Sequence, residues 1–388
     1  MNLKRLTLLS LVLILLALFA AYRLYLSELN RSLSIPEQGV TIEVYQGDSL
    51  SKVLVRLQGL GLFESSLLGS GQPTIWVAKI FAKERQLANS IKVGEFYLPY
   101  GATIPELFAL ITSNRQVKYS ITFIEGSTFR EALIILAEHP RIKHTLKGYS
   151  SADLVSLISK NADEQALVLT HPEGMLYPDT YYFQKQDTDL SILIRAHRRL
   201  LDVLEQEWIL RQAKLPLQSR YEALILASIV EKETGVPEER EQIAGVFTRR
   251  LELGMRLQTD PTVIYGLGDR YRGNITRKHL KQLTPYNTYR INGLPPTPIS
   301  LVGRAAIHAA LHPASGKALY FVAKGDGTHQ FSETIDEHNR AVQKYQLQRK
   351  NDYRSSLQIK SLQPKKSLQP IKSLQPIKNQ PLKSAGVH

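Results

Sequence analysis

The stretch Tyr221-Glu222-Ala223-Leu224-Ile225-Leu226-Ala227-Ser228-Ile229-Val230-Glu231-Lys232-Glu233-Thr234 decides how this chain is read. Leu224, Ile225, Ala227, Ile229 and Val230 cover most sides of a helical projection, so a helix from Tyr221 to Lys232 is expected to be buried. Gly235 ends it, and Pro237 opens the next helix with Glu238, Glu239 and Glu241 at the positive end of its dipole. Glu231 follows directly on the buried face. A carboxyl group held against apolar surface has its charged form disfavoured, which raises its pKa and lets it give up a proton near neutral pH. Glu233 and Lys232 are expected to face water. Taken alone, Glu231 reads as an ordinary helix end, where Glu is common.

Working outward, a long helix is predicted over 188–214, and short strands alternate with helices on the N-terminal side. Thr41 to Tyr45 alternates as a strand, Gln46-Gly47-Asp48-Ser49 has turn and N-cap chemistry, and Leu50, Val53, Leu54 and Leu57 follow at helical spacing. A similar unit starts at Lys92 and runs through Gly101 into a helix carrying Leu107, Leu110 and Ile111. Another begins with a strand from Tyr119 to Ile124, after which Glu125-Gly126-Ser127-Thr128 caps a helix. The segment from Glu173 to Phe183 is dense in aromatics and turn formers, either a core loop or a face for sugar rings. Ala318 to Val322 and His329 to Ser332 read as a hairpin, and a final helix covers about Glu333 to Gln348. The fold class is α+β.

The two ends are distinctive. Leu6 to Tyr22 carries no charge across seventeen residues, near the lower limit of the about 17–25 that span a bilayer. A cleaved signal peptide looks similar, but the small-x-small pattern is poor, so an uncleaved anchor is expected, with Lys4 and Arg5 cytoplasmic. Of the formal charge of +14 over 388 residues, the segment from Arg349 onward holds nine basic side chains against the single Asp352, a net of +8. Three copies of a Ser-Leu-Gln-Pro unit begin at Ser361, Ser367 and Ser373, a composition expected to stay disordered. An exported arm argues against nucleic acid as a partner. There is no cysteine, which excludes disulfides and every thiolate catalytic or zinc motif.

Downstream of the buried helix lie Arg256-Leu257-Gln258-Thr259-Asp260-Pro261-Thr262-Val263-Ile264-Tyr265-Gly266 and Tyr286-Asn287-Thr288-Tyr289. Asp260 is readable as a helix cap or as a second acid. With the stretch from Leu226 to Thr234, with Gly293-Leu294-Pro295-Pro296 and with Leu319 to Ala323, these long contiguous segments make the chain resemble the YceG-like family of endolytic murein transglycosylases. The likeness covers nearly the whole chain up to about residue 346; the repetitive tail is outside it.

That resemblance implies a cytoplasmic stub (1–5), a transmembrane anchor (6–26), a linker (27–40), a small LysM-like α/β module (41–118), a mixed α+β catalytic domain (119–346) and the disordered basic tail (347–388). It implies an enzyme of the cell inner membrane, single-pass, with its catalytic domain in the periplasm. Glu231 is the implied catalytic residue, and no cofactor or metal is called for. The implied partners are peptidoglycan glycan strands, the inner membrane, penicillin-binding proteins and the elongation machinery. A lytic transglycosylase needs one carboxyl group, where ordinary glycosidases need two. Gln258, Asp260, Tyr265, Tyr286, Asn287 and Tyr289 are the substrate-binding candidates, as hydrogen-bonding side chains near Glu231 in sequence. If Asp260 faced Glu231 across the cleft, hydrolysis would become possible. A non-catalytic peptidoglycan-binding scaffold is the alternative from another class.

Other motifs carry less. His308 and His312 stand four apart, but the Glu of the zinc pattern is absent and no third ligand is evident. Lys232 lies four residues beyond Ser228, the wrong spacing for an acylating serine. Gly266-x-Gly268 is too short to mean phosphate binding.

Overall fold

A computed structural model of the chain describes residues 3–64, 72–161 and 171–347. The expected disordered tail lies outside the described residues from 348 onward. The chain divides into two compact units, the first reaching Tyr119 and including Gln184–Gln186, the second running from Ser120 to Phe183 and from Asp187 onward.

The first unit begins with helix α1 (Leu3–Leu29), followed by β1 (Val40–Val44), α2 (Leu50–Gly59), α3 (Gln72–Glu84), β2 (Gly94–Leu98) and α4 (Ile104–Ile111). The segment Thr7–Leu29 is long and apolar enough to cross a membrane, with a mean hydropathy of 2.2. β1 and β2 pair antiparallel with Ile42 opposite Phe96 and Glu43 opposite Glu95. The period of two therefore sends Ile42, Val44, Phe96 and Leu98 into a core shared with Leu54, Leu57, Ile75, Leu107 and Phe108. It also sets two carboxylates side by side, which is unfavourable alone. Lys185 Nζ resolves this, lying 2.7 Å from Glu43 Oε2 and 3.1 Å from Glu95 Oε1, while the Tyr119 hydroxyl donates to Glu95 Oε2 at 2.6 Å.

Helix starts here follow cap chemistry. Ser49 caps α2 by accepting from the Lys52 N–H, and Asp48 instead accepts from the Tyr45 N–H and pairs with Arg56. Thr103 and Glu106 form a capping box at α4. The expected linker differs from the structure. Leu29, Leu33 and Ile35 are buried in this core, and the Thr74 hydroxyl donates to Glu28 Oε1 at 2.5 Å. Three apolar residues in a short segment found a groove to fill, so the end of α1 and the chain after it belong to the unit.

The second unit holds β3 (Tyr119–Thr122), which begins at the boundary, then α5 (Phe129–Glu138), α6 (Ser151–Lys160), β4 (Thr180–Phe183), α7 (Asp189–Ile209), α8 (Arg220–Glu233), α9 (Arg240–Glu252), α10 (Asp260–Leu267), α11 (Arg277–Lys281), α12 (Arg304–Leu311), β5 (Tyr320–Ala323), β6 (His329–Ser332) and α13 (Ile335–Val342). Strands pair as β3 with β4 and β5 with β6. α8 is the centre: every residue from Ala223 to Val230 is buried, and α7, α9, α10 and α12 pack around it. The buried Ser228 hydroxyl is satisfied twice, since it donates to the Ile225 carbonyl at 2.7 Å and accepts from the Ile299 N–H at 3.0 Å.

Two predicted helices are shorter than expected. α7 stops at Ile209 rather than 214, where Arg211 lies over the Trp208 ring and Lys214 takes a left-handed φ of 63°. α13 spans only Ile335–Val342 before a wider turn at Gln343–Leu347. His308 and His312 do gain a neighbouring acid, Glu207, from α7. Arg304 already binds Glu207 Oε1 at 3.0 Å, His308 binds its Oε2 at 2.8 Å, and both His312 nitrogens face carbonyl oxygens. The trio thus ties α7 to α12.

Candidate active site at the end of the buried helix

Glu231 sits in the last turn of α8 with its side chain only 5% exposed. Ser228 fixes the 299–303 segment against α8, and that segment is stitched on its other side to the turn after β3: the Gly126 N–H donates to Leu301 at 2.9 Å and the Leu301 N–H to Ser127 at 2.7 Å. This delivers the Gly303 N–H to Glu231 Oε2 at 3.0 Å, with Arg240 Nη2 3.9 Å from Oε1. Burial raises the Glu231 pKa above the usual carboxyl range, and the Glu125 charge adds to it; the Gly303 N–H, Arg240 and Lys232 pull the other way. A carboxyl so held keeps its proton to higher pH than a free one does.

Glu125 was not among the residues singled out, because in Glu125-Gly126-Ser127-Thr128 only cap and turn chemistry is legible. In the structure its carboxylate lies over the α-carbon of Gly303, where any β-carbon would collide with it. Gly303 thus receives Glu231 on its N–H and Glu125 on its open face. Lys232 Nζ donates to the Gly126 carbonyl at 3.0 Å, holding the same turn to the end of α8.

Glu233 departs from its expected place in water. Two residues on a helix turn by about 200°, so Glu231 and Glu233 leave α8 on different faces. The Glu233 carboxyl is enclosed and receives the Thr259 hydroxyl. Its pKa is pushed up to about 7, first by burial and then by Asp260, against the Thr259 hydrogen bond and Arg250. The neighbouring chain is held over it by buried Arg250, whose Nη1 donates to the Leu257 carbonyl at 2.7 Å.

The six binding candidates fall into two groups, and none of them hydrogen-bonds to Glu231. The first joins 258–262 to 286–289 through buried Thr288, which accepts from the Gln258 and Thr259 N–H groups at 3.2 and 3.1 Å. Gln258 is exposed in a left-handed conformation, φ 52°, that costs a non-glycine residue about 1–2 kcal/mol. The Tyr289 hydroxyl donates to Asp260 Oδ1 at 2.8 Å. The charge of Asp260 acts on Glu233 and Tyr289, and the carboxylate that acts on Glu231 is Glu125. Asp260 therefore does not take the facing position that its side-chain type allowed.

Asn287 also differs from expectation. It is 1% exposed, and its amide nitrogen serves the carbonyls of His279, Leu280 and Gln282 at 3.1, 3.2 and 2.6 Å. The donors are spent inside the protein, so Asn287 shapes a loop and is not presented to a sugar. The second group is Tyr265 and Tyr286, with ring centroids 5.0 Å apart. Tyr286 meets Thr297 at 2.8 Å, and Tyr265 bonds to Glu173. Glu173, another residue not singled out, is buried, accepts from the Phe129 N–H at 2.9 Å, and has its pKa pushed up to about 7 chiefly by burial.

A carboxyl with a raised pKa at the buried end of a helix has the chemistry a general acid needs. The sequence pattern of the YceG-like family matches residues 42–344, and the chain belongs to that family. An endolytic murein transglycosylase of Bacillus subtilis is 31% identical over 268 residues, covering 66% of this chain and 74% of that protein. One of Streptococcus pneumoniae is 28% identical over 249 residues, covering 62% of this chain but 43% of that protein. A crystal structure of a yceG-like protein from Listeria monocytogenes is 29% identical and covers 79% of this chain and 99% of that one, with a TM-score of 0.48.

Proposed function

We propose that this chain is a peptidoglycan-cleaving lytic transglycosylase that uses Glu231 as both acid and base. The observation that carries the reading is the Glu231 carboxyl itself, enclosed, with a raised pKa and one oxygen oriented by the Gly303 N–H. Protonated Glu231 gives its proton to the oxygen between N-acetylmuramic acid and N-acetylglucosamine as that bond to C1 breaks. The resulting carboxylate takes the proton of the muramoyl 6-hydroxyl as its oxygen bonds to C1. The product is a 1,6-anhydro end, and Glu231 is returned to its starting state without water being consumed. Gln258, exposed in its strained conformation, and the rings of Tyr265, Tyr286 and Tyr289 are the groups that would orient the strand.

The names of the relatives speak for murein as the substrate. In the same reading α1 is a single inner-membrane span, the first unit is a LysM-like module that contacts glycan, and the second unit works in the periplasm on nascent strands. Penicillin-binding proteins are then the natural neighbours, and cutting terminates strand elongation.

One observation favours a second reading. Glu125 places a second carboxylate at Gly303, and an acid with a second carboxylate can also hydrolyse. Mass spectrometry of muropeptides released from sacculi by the full chain in detergent separates the two. Anhydromuramoyl ends from wild type and none from Glu231→Gln support the transglycosylase; reducing ends support hydrolysis with Glu125; a Glu231→Gln variant with undiminished product overturns both.

A further inference from the structure

An open cavity of 850 Å³ lies between the end of α10 and α11, and its wall carries Arg270, Arg277, Lys278, His279 and Lys281 with no carboxylate. The adjacent acid, Asp269, is taken by Arg130, whose Nη1 lies 2.8 Å from both of its oxygens. Among the described residues no carboxylate pairs with Arg270, Arg277, Lys278 or Lys281. Such a cluster is unfavourable for the short helix that bears it, because Arg277 and Lys281 are like charges one turn apart. The fold holds it nonetheless: the three carbonyls that Asn287 binds, those of His279, Leu280 and Gln282, are the backbone of this wall. A buried amide spent on fixing a self-repelling cationic turn is an arrangement suited to an anion.

The position of the cavity says which anion. Arg130 on α5, five residues beyond Glu125, binds Asp269 beside the cavity, and Leu267 at the end of α10 lines it. Eight helical residues span about 12 Å, and about four extended residues cover roughly 13 Å. A muramoyl sugar at the catalytic carboxyl carries a stem peptide that is acidic, short and ends in a free carboxylate. Leu283, next to the wall and 75% exposed, offers a contact for its alanine methyls. The cations are spread over a wide wall, which suits several separate carboxylates better than one phosphate, for which converging guanidinium forks or backbone N–H groups would be expected.

We infer that the cavity between α10 and α11 binds the stem peptide of the glycan strand through its carboxylates, and so selects peptide-bearing over stripped strands. This rests on the proposed cleavage of peptidoglycan for its substrate, and its test has a readout independent of cleavage. Calorimetry of the full chain with free stem tetrapeptide should show binding that weakens with salt. Arg277→Gln/Lys278→Gln/Lys281→Gln should lower that affinity about tenfold, three exposed pairs each contributing modestly, and the single charge-preserving change Arg277→Lys should keep most of it.

In parallel, kcat/KM of the triple Gln variant should fall on peptide-bearing strands and match wild type on amidase-stripped strands. Equal loss on both substrates, no loss on either, or no tetrapeptide binding by folded wild type overturns the inference. So does a variant whose only deficit is association with phosphatidylglycerol vesicles, which would assign the cavity to a lipid surface. Tetrapeptide binding without any cleavage product would leave this inference standing and sink the proposed enzyme.

Discussion

At the scale of single residues the site turns on which charges see Glu231. Glu125 on the turn after β3 raises its pKa, while Arg240 at the start of α9 and Lys232 on α8 lower it, as does the Gly303 N–H. The group must be protonated to act as the acid, so activity is present below its pKa and is lost as pH rises through it. Glu125→Gln removes a negative neighbour and lowers that pKa. The alkaline limb of the kcat/KM profile should therefore move to lower pH, with the 1,6-anhydro product unchanged. If the limb stays in place, Glu125 is a bystander; if anhydro ends persist while hydrolysis products vanish, it was the second carboxylate. The burial of Glu231 was legible from sequence because the apolar run of α8 ends at it. Glu125 was not, since its role arises from the approach of Gly303, 178 residues further along the chain, which no local pattern encodes.

At the scale of elements, legibility followed how far each decision lay from its neighbours in sequence. The buried helix α8, the β1 strand and the β5–β6 hairpin follow from local periodicity and were placed to within a residue or two. Glu233 and Asn287 were misread because chain segments folded over them from elsewhere: Thr259 covers the first, and the carbonyls of 279–282 surround the second. Ser228 shows how such long-range stitching is held. Ser228→Ala leaves the Ile299 N–H unmet in the core, which should cost about 1–3 kcal/mol in urea denaturation. It should also lower turnover beyond what stability explains, because the same segment carries Gly303 to Glu231. An undiminished stability would mean that the 299–303 segment is anchored by Leu301 alone.

At the scale of the whole chain, composition announced the apolar N-terminal helix and the basic tail, but not where that helix joins the first folded unit. Glu28 and Leu29 are part of the first unit, Leu29 at 8% exposure and Glu28 bound to Thr74. A chain starting at residue 31 should therefore melt at a lower temperature than one starting at residue 24, its first unit being less stable by about 2 kcal/mol or more. Equal melting would return residues 27–40 to the status of a linker.

The merging of α1 with that core has a mechanical consequence. With Thr7–Leu29 read as a span, its 23 residues rise about 35 Å, a few ångströms more than the roughly 30 Å of hydrocarbon they cross. In that reading no slack tether would separate the bilayer from the first folded layer, and any tilt of the span would become a tilt of the unit it carries.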